Sequence, residues 1–275
     1  MRPRILFCLA AFIAFTIASS AEAGYTGLFI FGDSLSDAGN NALLFDGMGA
    51  SAMPPLPPGT LRTQVLPPTI SNSFIPTYPY AVSNEYTNGQ VWAQTFASAL
   101  GLPLAPSLLY SGAPPPPPPG GLDYAFGGAR TSAPSPTPSL EDQAPMFLGQ
   151  YPAVPSGALY VVAGGGDNAR DALPTVGPQI VGTCTNPDPM AFLSCATAIV
   201  KPTADAYASD IKTIVGELEA NGAKHLVVWN IPDIGLAPAV LAEGAQVSGL
   251  ATLVASIMNA DLTSQLGSDP DVGLF

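Results

Sequence analysis

The chain has 275 residues, 47% of them hydrophobic and 10% charged, with 8 lysines and arginines against 20 aspartates and glutamates and a formal net charge of −12. That length and hydrophobicity suit one α/β domain, or two small ones, with a sizeable core, and they exclude a disordered chain, which combines low hydrophobicity with high charge. The acidity excludes an electrostatic footprint for nucleic acid or anionic lipid and bears on solubility rather than on chemistry.

In chain order, the first 23 residues read as an export signal. Arg2 and Arg4 give a positive start, Ile5 to Ile17 an apolar run, and Ala21-Glu22-Ala23 a small-x-small cleavage site before Gly24. The alternative is a membrane anchor, but the apolar run is well short of the ~20 residues that a spanning helix needs. No stable transmembrane segment is then expected after cleavage, and the destination is periplasm, cell surface or medium. Cys8 leaves with the signal.

Tyr25 to Phe31 reads as a strand that breaks at Gly32-Asp33-Ser34, where a helix is expected to start. Residues 48–80 are rich in Pro, Ser and Thr without periodicity and read as a long surface loop. Thr87 or Asn88 is expected to cap a helix from Gln90 to Leu100 that Gly101 ends. A second proline-rich loop covers 113–119, where Pro114 to Pro119 predicts a polyproline II excursion.

Leu122 to Phe126 and Ala158 to Ala163 are further strands, the latter running into Gly164-Gly165-Gly166. Cys184 and Cys195 form an even pair, expected to close a short loop as a disulfide; with no histidine nearby they make weak metal ligands. Thr203 to Asn221 is an amphipathic helix through Tyr207, Ile211, Ile214, Val215 and Leu218, ended by Gly222. Leu226 to Trp229 is a strand leading into Asn230-Ile231-Pro232-Asp233, and Val247 to Leu266 a last amphipathic helix.

This alternation predicts an α/β three-layer sandwich with a central parallel sheet and helices on both faces over residues 24–275. Ligands of such sheets sit beyond the carboxyl ends of the strands. Three glycine-bearing turns, Gly32 to Ser34, Gly127-Gly128 and Gly164 to Asn168, each follow a predicted strand and are expected to converge on that rim. A serine at a strand-to-helix turn has an exposed hydroxyl and a backbone N–H where negative charge is favoured, which suits a nucleophile that is also an oxyanion donor. A plain helix cap is the competing role for Ser34.

Phe29 to Asn41 resembles the first block of the GDSL (SGNH) lipase/esterase family, a strand followed by FGDSLSDxGN. Tyr86 to Trp92 is similar to that family's SNGxxW segment, Asp123 to Ala129 to its NxAxGGA block, Leu159 to Leu173 to its strand and GGxND block, and His225 to Gly235 to the strand and NxPDxG turn that follow. The blocks occur in family order across most of the chain after the signal. The resemblance implies a flavodoxin-like fold and a serine hydrolase of small-molecule or lipid carboxylic esters that works through an acyl-enzyme, with no metal or organic cofactor. It implies Ser34 as nucleophile and oxyanion N–H, Gly128 (with Gly127 one place away) as a second donor, and an asparagine amide as a third. The third block departs from the pattern: Asp167 stands at the gapless asparagine position and Asn168 follows it, so that a shift by one is needed for Asn168 to donate. An ionised carboxylate there repels an oxyanion.

The family's catalytic histidine sits in a C-terminal Asp-x-x-His motif, and none occurs in these 275 residues, which implies a C-terminally incomplete member. The single histidine, His225, opens a strand whose other end meets the rim, about 15 Å away at ~3.3 Å per residue, too far for a general base. Asp233 is expected to shape the turn at that strand's rim end. Competing functions are a non-catalytic surface or binding protein, an acyltransferase or sugar deacetylase with the same nucleophile, and an autotransporter passenger.

Overall fold

The computed structural model describes residues 24–46, 85–111, 120–270 and 272–275. The expected signal, the proline-rich loop of 48–80 and the proline run at 113–119 lie outside the described residues. In chain order the elements are β1 (Leu28–Gly32), α1 (Asn40–Asp46), α2 (Trp92–Ala99), β2 (Ala105–Pro106), β3 (Gly121–Asp123), α3 (Leu140–Gln150), β4 (Leu159–Ala163), α4 (Gly166–Thr183), α5 (Pro189–Ala220), β5 (His225–Val228), α6 (Pro238–Ala242), α7 (Ala245–Leu266) and β6 (Val272–Leu274). All six strands join one sheet in the order β2-β3-β1-β4-β5-β6, and every pair is parallel. Edge strand β2 aside, this is the doubly wound order of flavodoxin-like sheets, whose switch point lies beside the first strand.

β1 is the centre. Its five residues, Leu-Phe-Ile-Phe-Gly, are all buried, as a parallel strand covered on both faces requires. Alternation sends Phe29 and Phe31 to one side and Leu28 and Ile30 to the other. The first side carries the larger core, against α3, α4, α5 and α7. There the Phe29 ring stacks on Tyr160 and tilts against Phe147, while Phe31 stacks on Tyr124. The second side packs on α2 through Ala93 and Ala97. Helices therefore cover both faces and make three layers.

Several boundaries differ from the sequence expectation. The helix expected from Thr203 starts fourteen residues earlier, at Pro189: the Asp188 side chain caps it by accepting the Ala191 N–H at 2.8 Å, and the helix continues through Pro202. Gly222 follows its end at φ +110°, the left-handed conformation that glycine adopts freely. Neither Thr87 nor Asn88 caps α2. Gln94 Oε1, one turn inside the helix, reaches back to the Val91 N–H at 3.0 Å. Cys184 and Cys195 are joined as a disulfide between the end of α4 and the first turns of α5. Among the described residues no helix is long and apolar enough to cross a membrane.

Candidate active site

The three glycine turns meet at the carboxyl edge of the sheet. Gly32 pairs with Ala163 across β1 and β4, and the Phe126 N–H extends the β3 side by donating to the Gly32 carbonyl at 3.2 Å. A Cβ on Gly32 would lie 2.5 Å from the Ala163 carbonyl oxygen, so glycine is what lets β4 pass so close. Gln143, fully buried on α3, holds both polar groups of Gly32: its Oε1 accepts the N–H at 2.8 Å and its Nε2 donates to the carbonyl at 2.9 Å.

No helix starts at Ser34. Residues 33–36 form a turn in which Ser36 and Asp37 donate N–H groups to the Asp33 carbonyl, and Asp33 Oδ1 accepts the Leu35 N–H at 3.1 Å. The helix is delayed to Asn40 because Asp37 caps it: Oδ1 accepts the N–H groups of Gly39 at 2.8 Å and Asn40 at 2.6 Å, and Oδ2 that of Asn41 at 3.2 Å. Ser34 thus stands half-buried on a tight turn rather than at a helix N-terminus. Among the described residues neither its hydroxyl nor its N–H has a hydrogen-bond partner. The plain helix-cap role for Ser34 has no counterpart, since no helix begins there.

The second turn separates its two glycines. The Gly127 N–H is committed to Asp37 Oδ2 at 2.8 Å, and the Tyr86 ring occupies the place that a Gly127 side chain would take. Gly128, at φ +79°, keeps an N–H with no acceptor among the described residues, while its carbonyl accepts Arg130 Nη1 at 2.5 Å.

The third turn separates Asp167 from Asn168. Both atoms of the Asn168 amide are engaged with Thr131: Oδ1 accepts the Thr131 N–H at 3.1 Å, and Nδ2 donates to Thr131 Oγ1 at 2.9 Å. Asp167 is buried in the first turn of α4 and paired with Arg170 Nη1 at 2.5 Å. Arg170 and Arg130 both pair with Asp171 as well. Burial, and next the Asp167 carboxylate, push the Asp33 carboxyl up to about 7. Burial also raises Asp167 itself, against the opposing pull of Arg170 and Arg130.

Two more buried aspartates frame the rim. Burial pushes Asp37 up to about 6 even with four backbone N–H donors holding it. Asp123 accepts the Ala38 N–H at 2.6 Å and the Ala125 N–H at 3.0 Å, and burial followed by the Asp37 charge raises it well above its ordinary value. Between them, Asn40 Nδ2 donates to the carbonyls of Asp123 and Ala125. Sequence reasoning assigned no role to Asp37, Asp123, Asn40 or Gln143. Asp37 and Asn40 just after the apolar strand β1, and Asp123 inside the apolar run of β3, were the available signal, since buried polar groups need partners; nothing local marks Gln143.

His225 lies exposed at the opposite end of β5, its ring edge-on to Tyr25 at 5.5 Å. No imidazole reaches the rim among the described residues. Asp233 shapes the turn after β5, accepting the Gly235 N–H at 2.9 Å and the Thr252 hydroxyl at 2.7 Å.

The chain is similar to Esterase EstA of Pseudomonas aeruginosa, at 26% identity over 97% of this chain and 37% of that protein. Esterase EstA of Pseudomonas putida matches with the same figures. The chain therefore spans little more than a third of the length of these curated relatives. An extracellular lipase from Streptomyces rimosus has a TM-score of 0.39 at 16% sequence identity, covering 90% of this chain and 79% of that one. No protein-family model matches the chain.

Proposed function

We propose that the protein is a GDSL-type carboxylic ester hydrolase in which Ser34 attacks the ester carbonyl and the N–H groups of Ser34 and Gly128 hold the resulting oxyanion. The observation that carries it is that these two N–H groups and the Ser34 hydroxyl, on adjoining turns at one sheet edge, lack hydrogen-bond partners among the described residues, in a rim where neighbouring polar groups are committed. Such donors stabilise charge that develops only in the transition state, and each is worth about 100- to 1000-fold in rate. The esterase relatives support the same chemistry.

In the acylation step the Ser34 oxygen bonds to the carbonyl carbon, the alcohol leaves, and the serine proton passes through a base to the leaving oxygen. His225 is not that base, because it lies at the opposite end of β5, and among the described residues no imidazole reaches the rim. The Asn168 amide, anchored on Thr131 through Oδ1 and one Nδ2 hydrogen, keeps its second N–H for a third donor role, and Arg170 offsets the charge of Asp167 near the hole. Export through residues 1–23 belongs to the same proposal, and N-terminal sequencing of exported protein is expected to begin at Gly24.

The test is hydrolysis of a short p-nitrophenyl ester by the full-length gene product and by its Ser34→Ala variant. Turnover that the variant loses supports the proposal. A folded, full-length protein without turnover favours a non-catalytic binding protein, the function that a rim without an imidazole would otherwise suit.

A further inference from the structure

The peptide joining Gly127 to Gly128 rotates more freely than one flanked by side chains, since neither of its residues has a Cβ. It is also the peptide that carries the Gly128 N–H. In a trans peptide the carbonyl of one residue and the N–H of the next lie in one plane and point in opposite directions. Whatever fixes the Gly127 carbonyl therefore aims the Gly128 N–H.

Two buried side chains from separate parts of the chain fix that carbonyl. Asn41 Nδ2, on α1, donates to it at 2.9 Å, and Thr137 Oγ1, in the loop before α3, donates at 2.9 Å. The Asn41 amide is itself tethered, since Nδ2 also donates to the Tyr86 hydroxyl at 2.8 Å. The preceding N–H is held by Asp37 and the following carbonyl by Arg130. Donors on a carbonyl also polarise the N–H of the same peptide and make it a better donor.

We propose that Asn41 and Thr137 are positioning residues that grip the Gly127 carbonyl from two sides and thereby aim the Gly128 N–H at the oxyanion. The inference rests on the ester-hydrolase function proposed above. Neither side chain touches substrate; each acts through the peptide plane.

The test uses the full-length gene product as wild type, Thr137→Val and Thr137→Ser, with two measurements. One is the backbone 15N order parameter of Gly128 in the free protein, which needs no activity. The other is the rate at which an alkyl fluorophosphonate modifies Ser34, where a serine oxygen–phosphorus bond forms and fluoride leaves. Thr137→Val is expected to lower the Gly128 order parameter and to slow modification about tenfold, as loss of one hydrogen bond implies, and Thr137→Ser to restore both. Should Thr137→Val fail to fold, Thr137→Ala, which removes the same donor, carries the same measurements. A folded variant with an unchanged order parameter and unchanged rate overturns the inference. A wild type that is never modified at Ser34, with Gly128 still loosened by Thr137→Val, instead overturns the hydrolase function and with it the catalytic purpose of the grip.

Discussion

Asp37 Oδ2 accepts the backbone N–H of Gly127 at 2.8 Å across 90 residues of sequence. The same carboxylate caps α1, so a single buried group ties the turn after β1 to the turn after β3. Asp123 answers from β3 by accepting the Ala38 N–H. The rim is thus built by crossed carboxylate-to-amide bonds, with Ser34 and Gly128 left between them.

These carboxyls give the protein an unusual pH dependence. Asp33 rises from 3.8 to about 7 and Asp37 from 3.8 to about 6 in the folded state. A carboxyl raised on folding binds more protons in the folded than in the unfolded chain between the two values, so its ionisation opposes folding. The contribution of these two groups to stability is fully present below about pH 4 and is lost as pH rises toward 7, by on the order of a few kcal/mol. Thermal midpoints measured from pH 4 to 8 should fall across that window, and Asp33→Asn should flatten the fall. A midpoint that climbs from pH 4 to 7 would contradict it.

Gln143 holds Gly32, two residues before Ser34, through both of its polar groups. Gln143→Leu keeps the approximate volume and leaves the buried Gly32 N–H without its acceptor, at a cost of about 1–3 kcal/mol. Guanidinium unfolding should show a lower midpoint with an unchanged slope. An unaltered midpoint would mean that β1 needs no such clamp.

Trp92 and Trp229 are the two tryptophans of the sequence, and their rings stack with centroids 4.0 Å apart. Trp92 Nε1 also donates to the buried Ser36 hydroxyl at 3.1 Å. Stacked indoles couple their transitions, so far-ultraviolet circular dichroism should carry an exciton couplet that Trp92→Phe and Trp229→Phe each abolish. A couplet that survives either change would place the rings apart.

The disulfide closes a short loop, with 11 residues of sequence separation. Chain-entropy arguments put such a loop at up to about 3 kcal/mol. The double variant Cys184→Ala, Cys195→Ala should therefore melt several degrees lower while keeping its far-ultraviolet spectrum. Equal midpoints would show that the helix contacts alone suffice to hold α4 against α5.

The sheet was legible in the sequence because its central strands are short apolar runs closed by glycine: Leu28–Gly32, and Leu159–Ala163 before three glycines. Convergence of the three turns followed from parallel pairing alone. The start of α5 was not legible, because the cap at Asp188 sits among Asn-Pro-Asp-Pro, which locally signals a turn. The β3 boundary was set too late for a tertiary reason: after Asp123 the chain hydrogen-bonds through Tyr124 and Phe126 to β1 without continuing a regular ladder. At the site, Ser34 and Gly128 were marked by motif and spacing. The gripping roles of Asp37, Asn41, Thr137 and Gln143 join residues 90, 86, 10 and 111 positions from their partners, and no local pattern records such bonds.

The most direct measurement is peptide mapping by mass spectrometry of the full-length gene product after reaction with a fluorophosphonate. One phosphonyl group per molecule is expected, on Ser34, absent from Ser34→Ala. An adduct on a different serine, or none on a folded protein, would contradict it.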